Sequence, residues 1–247
     1  MHCENMFKYF CKNVDALPEF CNIWRTHGKT QTTYMRKTTA LVCAAALAAG
    51  LASSMAQSNV YSLNVVGYYN VPVGANQKVM IANQLNTTNN TIANLIPNGP
   101  PNASFFKYNG GFTTYQFDSY SLSWSPDGNA TLNPGEGAFY VSPTATTLTF
   151  VGEVEQGLLT NSLPIGSKVM RSSFVPQQGL ITTQLGLPGE ANDSLFTFNG
   201  GYTTYQFDSY SLSWSPSEPT INVGQAFFYV KAAGNLSSSW VRNFTVQ

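Results

Sequence analysis

Apolar and polar side chains alternate with a period of two, not 3.6, through the centre of this sequence, and that period predicts strands. Ser119-Tyr120-Ser121-Leu122-Ser123-Trp124-Ser125 alternates without a break, so a single strand would set Tyr120, Leu122 and Trp124 on a buried face and four serines on the other. Upstream, Phe105 to Tyr108 and Phe112 to Phe117 flank Asn109-Gly110-Gly111. Asn-Gly tolerates the positive φ angles of a tight hairpin turn, and Asp118-Ser119 reads as the next turn. Further strand-like runs are Tyr61 to Val71, Ala138 to Val141, Thr146 to Val151, Val154 to Leu163, Ala226 to Lys231 and Ser238 to Val246, with Ser142-Pro143 as a breaker. Asn90 to Leu95 fits a short helix capped by Asn90, with Ile92 and Leu95 turned inward, and fits a strand nearly as well.

The same pattern occurs twice. Residues 109–126 read NGGFTTYQFDSYSLSWSP and residues 199–216 read NGGYTTYQFDSYSLSWSP, differing only at Phe112 and Tyr202. The offset of 90 extends outward, matching Lys78-Val79-Met80 to Lys168-Val169-Met170 and Phe105-Phe106 to Leu195-Phe196. After one deletion, NPGEGAFYV (133–141) matches NVGQAFFYV (222–230). Each unit is about ninety residues, a usual domain size. The expected class is all-β: two tandem antiparallel β-sandwich or barrel-like modules, residues 57–156 and 157–247, with room for one short helix in each.

The first 56 residues read differently. From Met35, Arg36 and Lys37 precede an apolar run from Ala40 to Ala52, and Ser54-Met55-Ala56 supplies the small side chains of a cleavage site. Residues 35–56 are therefore expected to be a signal peptide cut after Ala56. The run is too short for a permanent anchor, which needs about 20 apolar residues. Residues 1–34 are expected to be a mis-called upstream leader. They hold both histidines and three of the four cysteines, and the spacing of Cys3, Cys11 and Cys21 fits no zinc pattern.

Charge adds little attraction for any partner. Formal net charge is zero over the chain, and residues 57–247 carry six basic and nine acidic side chains, so a nucleic-acid partner is not expected. Low charge with abundant Asn, Thr, Ser, Gly and Tyr suits an exported β protein. Past Cys43 there is neither His nor Cys, which removes Ser-His-Asp triads, cysteine nucleophiles and ordinary zinc or haem sites from residues 57–247. No cofactor and no metal site is expected.

NGG, an aromatic strand, Trp-Ser-Pro, then Asn-Pro-Gly-Glu-Gly-Ala-Phe-Tyr-Val and TLTFVGEV resemble repeats in uncharacterised secreted bacterial proteins, in which a Gly-x-Gly-Phe/Tyr-type turn leads into a final β-hairpin. The resemblance implies export and β structure, and no catalytic residue. The second copy departs from it at Val223 and Ala226.

Two chemistries keep candidates. Asp118 and Asp208 could form a carboxylate pair for glycoside hydrolysis, but each reads better as an Asp closing a turn through its own side chain. Asp127-Gly128-Asn129 is similarly read as an exposed turn, since Ser217-Glu218-Pro219 replaces it in the second copy. Tyr115, Tyr120, Trp124, Tyr205, Tyr210 and Trp214 are candidate ligand-binding residues, because flat rings can stack on sugars; the competing assignment is core. The expected function is a non-catalytic structural or interaction protein of the bacterial cell envelope or extracellular space, with polysaccharide or other envelope proteins as partners. A carbohydrate-binding protein is the alternative, and a carboxylate-dependent glycosidase the distant one.

Overall fold

The computed structural model describes residues 65–246. The expected leader, the signal peptide and the Tyr61–Asn64 start of the first strand-like run lie outside the described residues. In the first module, β1 (Val66–Val73) pairs antiparallel with β7 (Thr146–Glu153). Between them lie β2 (Lys78–Ala82), α1 (Ile92–Leu95), β3 (Ser104–Tyr108), β4 (Phe112–Asp118), β5 (Ser123–Ser125) and β6 (Gly137–Val141). These five strands form one antiparallel sheet in the order β2-β6-β3-β4-β5.

The second module repeats that order. Its ribbon is β8 (Gly157–Ser162) with β16 (Ser239–Phe244). Its sheet runs β9 (Lys168–Arg171), β15 (Phe227–Val230), β11 (Ser194–Phe198), β12 (Tyr202–Asp208), β13 (Ser213–Ser215). A small pair, β10 (Gly179–Leu180) with β14 (Thr220–Ile221), stands beside it. The sheets do not close into barrels, so the fold is an all-β sandwich, and no helix among the described residues is long and apolar enough to cross a membrane.

Each five-stranded sheet buries both faces of its central strands, while the outer strands β4, β5, β12 and β13 stay largely exposed. Toward its own ribbon, the first sheet packs Ile81, Phe105, Ala138 and Tyr140 against Tyr69, Val73, Leu148 and Phe150. Its other face turns to the second sheet, where Met80, Ala82 and Phe139 meet Met170, Ala226 and Phe228. A strand buried on both faces needs an unbroken apolar run, which is why Ala138-Phe139-Tyr140 and Phe227-Phe228-Tyr229 do not alternate. Burial of each such large side chain stabilises by about 1.5–3 kcal/mol.

The contact between the sheets is reciprocal. Ala82 N–H donates to the Gly224 carbonyl at 2.9 Å, and the equivalent Ser172 N–H donates to the Gly135 carbonyl at 2.9 Å. Bridges join Ile81 to Gln225 and Arg171 to Glu136, again equivalent positions exchanged. Tyr108 sets its ring edge against Phe228 at 5.0 Å, and Phe198 does so against Phe139 at 5.2 Å. Residue i of one module meeting j of the other, and j meeting i, is the signature of two-fold packing. On that axis equivalent residues meet each other. Phe139 lies 6.1 Å from Phe228, and a Cβ on Gly137 would collide with Cβ of Ala226, its own counterpart. Only one methyl fits there, which accounts for the departure at Ala226.

Two expectations are corrected. The alternating Ser119–Ser125 segment is not one strand: β4 ends at Asp118, residues 119–122 turn, and only Ser123–Ser125 are extended. Leu122 adopts the left-handed region at φ 50°, the chain doubles back, and Trp124 pairs across from Phe117. Tyr120 and Leu122 are consequently exposed, and local hydrogen bonding to Asp118 overrides the alternation. Among the described residues the short helix exists in the first module alone, with Ile92 and Leu95 buried as expected, but its N-cap is Thr91. Asn90 instead accepts hydrogen bonds from the backbone and hydroxyl of Thr87, both at 3.0 Å. The corresponding residues Thr182–Leu185 form a turn.

Candidate functional site

The hairpin tips between β4 and β5 and between β12 and β13 are built alike. Asp118 Oδ1 accepts the N–H groups of Tyr120 (2.9 Å) and Ser121 (2.7 Å) and the Ser121 hydroxyl (3.1 Å). Asp208 does the same for Tyr210 (2.9 Å), Ser211 (2.7 Å) and the Ser211 hydroxyl (3.0 Å). These donors, the Ser121 and Ser211 backbones foremost, hold both carboxyls below the usual carboxylate range. Each carboxylate is used by its own turn, as the sequence suggested. Above it, Tyr120 and Tyr210 are each 97% exposed, with Leu122 and Leu212 beside them in the open.

The six aromatic candidates are not brought together. Trp124 is buried, its ring edge against Phe105, Phe117 and Tyr140, and its indole N–H donates to the Ile96 carbonyl at 2.9 Å. Trp214 is buried likewise and donates to the Thr182 hydroxyl at 2.8 Å. Tyr115 and Tyr205 pack half-buried against their own module cores. Tyr120 and Tyr210 are the pair presented to solvent. Asp127 accepts the Asn129 N–H in an exposed turn, and the described residues contain no cluster of three His, Cys, Asp or Glu able to hold a metal.

Two arrangements went unread in the sequence. At the mouth of the inter-sheet core, Lys78 Nζ sits 4.4 Å from the Phe139 ring and 4.9 Å from Phe106, and Lys168 Nζ sits 4.2 Å from Phe228 and 5.1 Å from Phe196. Each ammonium covers a ring face that the partner sheet leaves open. The matched Lys-Val-Met triplets carried that signal.

The other arrangement is confined to the second module. Lys231 and Asp193 are fully buried, with Nζ 2.8 Å from Oδ2. Asp193 Oδ2 also accepts from the Tyr229 hydroxyl (2.5 Å), while Oδ1 accepts from Ala232 N–H (2.9 Å) and Asn235 Nδ2 (2.8 Å). Glu190 Oε1 lies 3.3 Å from Nζ. Burial and Asp193 push the Tyr229 phenol well above its usual range, so the hydroxyl keeps its proton and donates. At the matching places the first module has Ala103, Ser142 and Pro100, and the buried Tyr140 hydroxyl has no partner. Aligning the copies position by position exposes this as three uncharged residues replaced together by three charged ones.

Searches for likeness return nothing: no protein-family model, no curated protein sequence and no solved structure matches this chain.

Proposed function

We propose that this chain is an exported, non-catalytic structural or interaction protein of the bacterial cell envelope or extracellular space, presenting the tip Asp118–Ser123 and its copy Asp208–Ser213 to partners. The observation that carries this reading is the pairing of exposure with order. Tyr120 and Leu122, and again Tyr210 and Leu212, stand in solvent on turns fixed by Asp118 and Asp208. A ring and an aliphatic chain held ready in the open lose little conformational entropy on binding. The Arg36-Lys37 and Ala40–Ala52 segment supports export.

The test is retention of the whole chain on washed bacterial envelopes, set against a variant carrying Tyr120→Ser, Leu122→Ser, Tyr210→Ser and Leu212→Ser. Several-fold weaker retention of the variant is expected. Equal retention of the two proteins removes the tips from the reading. Retention on purified polysaccharide that free sugar competes away transfers the assignment to a carbohydrate-binding protein.

A further inference from the structure

We infer that the side chains of Lys231 and Asp193 condense to an amide, cross-linking the start of β11 to the end of β15, with Glu190 as the proton carrier. Nucleophile, electrophile, base and charge-stabilising donors are all present, and each is a different group. Lys231 Nζ touches Asp193 Oδ2 at 2.8 Å inside a site where both residues are fully buried. Removing two charges from water is costly, and an uncharged product abolishes that cost. The first module reaches the same strand order with Ala103 and Ser142 in these places, so the fold does not require the charged pair.

The reaction balances within the site. Glu190 Oε1, at 3.3 Å and with its side chain 27% exposed, takes one proton from the Lys231 ammonium. That proton passes to Asp193 Oδ2, where the Tyr229 hydroxyl sits 2.5 Å away and assists the transfer. The Nζ lone pair then attacks Cγ of Asp193, forming the C–N bond. Negative charge gathers on Oδ1, which already receives Ala232 N–H and Asn235 Nδ2, so these donors act as an oxyanion hole. The attacking nitrogen gives a second proton to Oδ2, the C–Oδ2 bond breaks, and water leaves. One ammonium and one carboxylate become one amide and one water, with no change of oxidation state and no outside reagent. Burial holds the two side chains at hydrogen-bond distance, the condition under which an intramolecular step replaces a bimolecular one.

Trypsin decides the matter, because Lys231 is the one basic residue between Arg171 and Arg242. The full-length protein, denatured and digested, should yield residues 172–242 as a single fragment lighter than its sequence by one water. Cleavage after Lys231, giving 172–231 and 232–242 at their sequence masses, would overturn the inference, as would an uncut fragment of unchanged mass. Glu190→Gln, which keeps the shape of the side chain and should keep the β-sheet circular dichroism spectrum, is expected to restore cleavage after Lys231. A Glu190→Gln protein still lacking one water would overturn the part given to Glu190.

Discussion

Two modules with one strand order solve the start of the β3 and β11 strands in opposite ways. The first closes it with Pro100, Ala103 and Ser142 and leaves the buried Tyr140 hydroxyl unpaired. The second fills it with Glu190, Asp193 and Lys231, and its Tyr229 hydroxyl donates to Asp193. The contrast separates what the architecture needs from what it tolerates. Both modules share the buried Phe-Tyr run and the buried tryptophan, so these carry the fold, while the charged cluster is an addition that a neutral version replaces.

Breaking the cluster from one side should have the largest effect. Asp193→Ala abolishes the cross-link and leaves the buried Lys231 with the partly exposed Glu190 alone beside it, and is expected to cost about 3–5 kcal/mol in a denaturant titration. The reverse graft, Ala103→Asp, buries a carboxylate with no cation and should destabilise comparably. At the two-fold contact, Gly137→Ala forces two methyls into room for one and should cost about 1–3 kcal/mol. Adding Ala226→Gly to that variant should recover most of the loss, since the pair merely exchanges the methyl between modules.

The tyrosines sharpen the comparison further. With condensation blocked by Glu190→Gln, adding Tyr229→Phe strands Asp193 of one donor and should cost about 1–3 kcal/mol, whereas Tyr140→Phe removes an unpaired hydroxyl and should be near neutral. Burial pushes the Tyr140 phenol up to about 12, so in a spectrophotometric titration it should ionise later than a free phenol. The hairpin tips should show the smallest and most symmetrical response. Because Asp118 and Asp208 are held below the ordinary carboxyl range, the turn is favoured above that range and loosens as pH falls through the lowered value. The amide resonances of Tyr120 and Tyr210 should therefore shift together in acid. Tyr120→Ala itself should change stability by no more than about 0.5 kcal/mol.

Much of the fold was legible because its signals are local. Asn109-Gly110-Gly111 predicted a hairpin, and Tyr108 pairs with Phe112 across it, with Gly110 at φ 72°. Ala138–Val141 and Thr146–Val151 became β6 and β7 almost unchanged. Period-two reasoning failed at Ser119–Leu122 because it counts side chains and overlooks a carboxylate able to bond the backbone two and three residues on. The Lys231 cluster was illegible for another reason. Lys231 stands 38 residues from Asp193, and only the pairing of β11 with β15 brings the two within reach. The packing of sheet on sheet was likewise hidden, although unbroken apolar runs in place of alternating ones were its trace.

Gly137 opposite Ala226 carries an implication for ancestry and design alike. In a dimer of identical polypeptides, any side chain at the symmetry centre confronts a copy of itself, and every substitution there is made twice over. Fusing the halves into a single gene frees the centre from that doubling, so bulk can be added on one side while the other stays bare. Asymmetry of this sort is available to a tandem chain and denied to a homodimer.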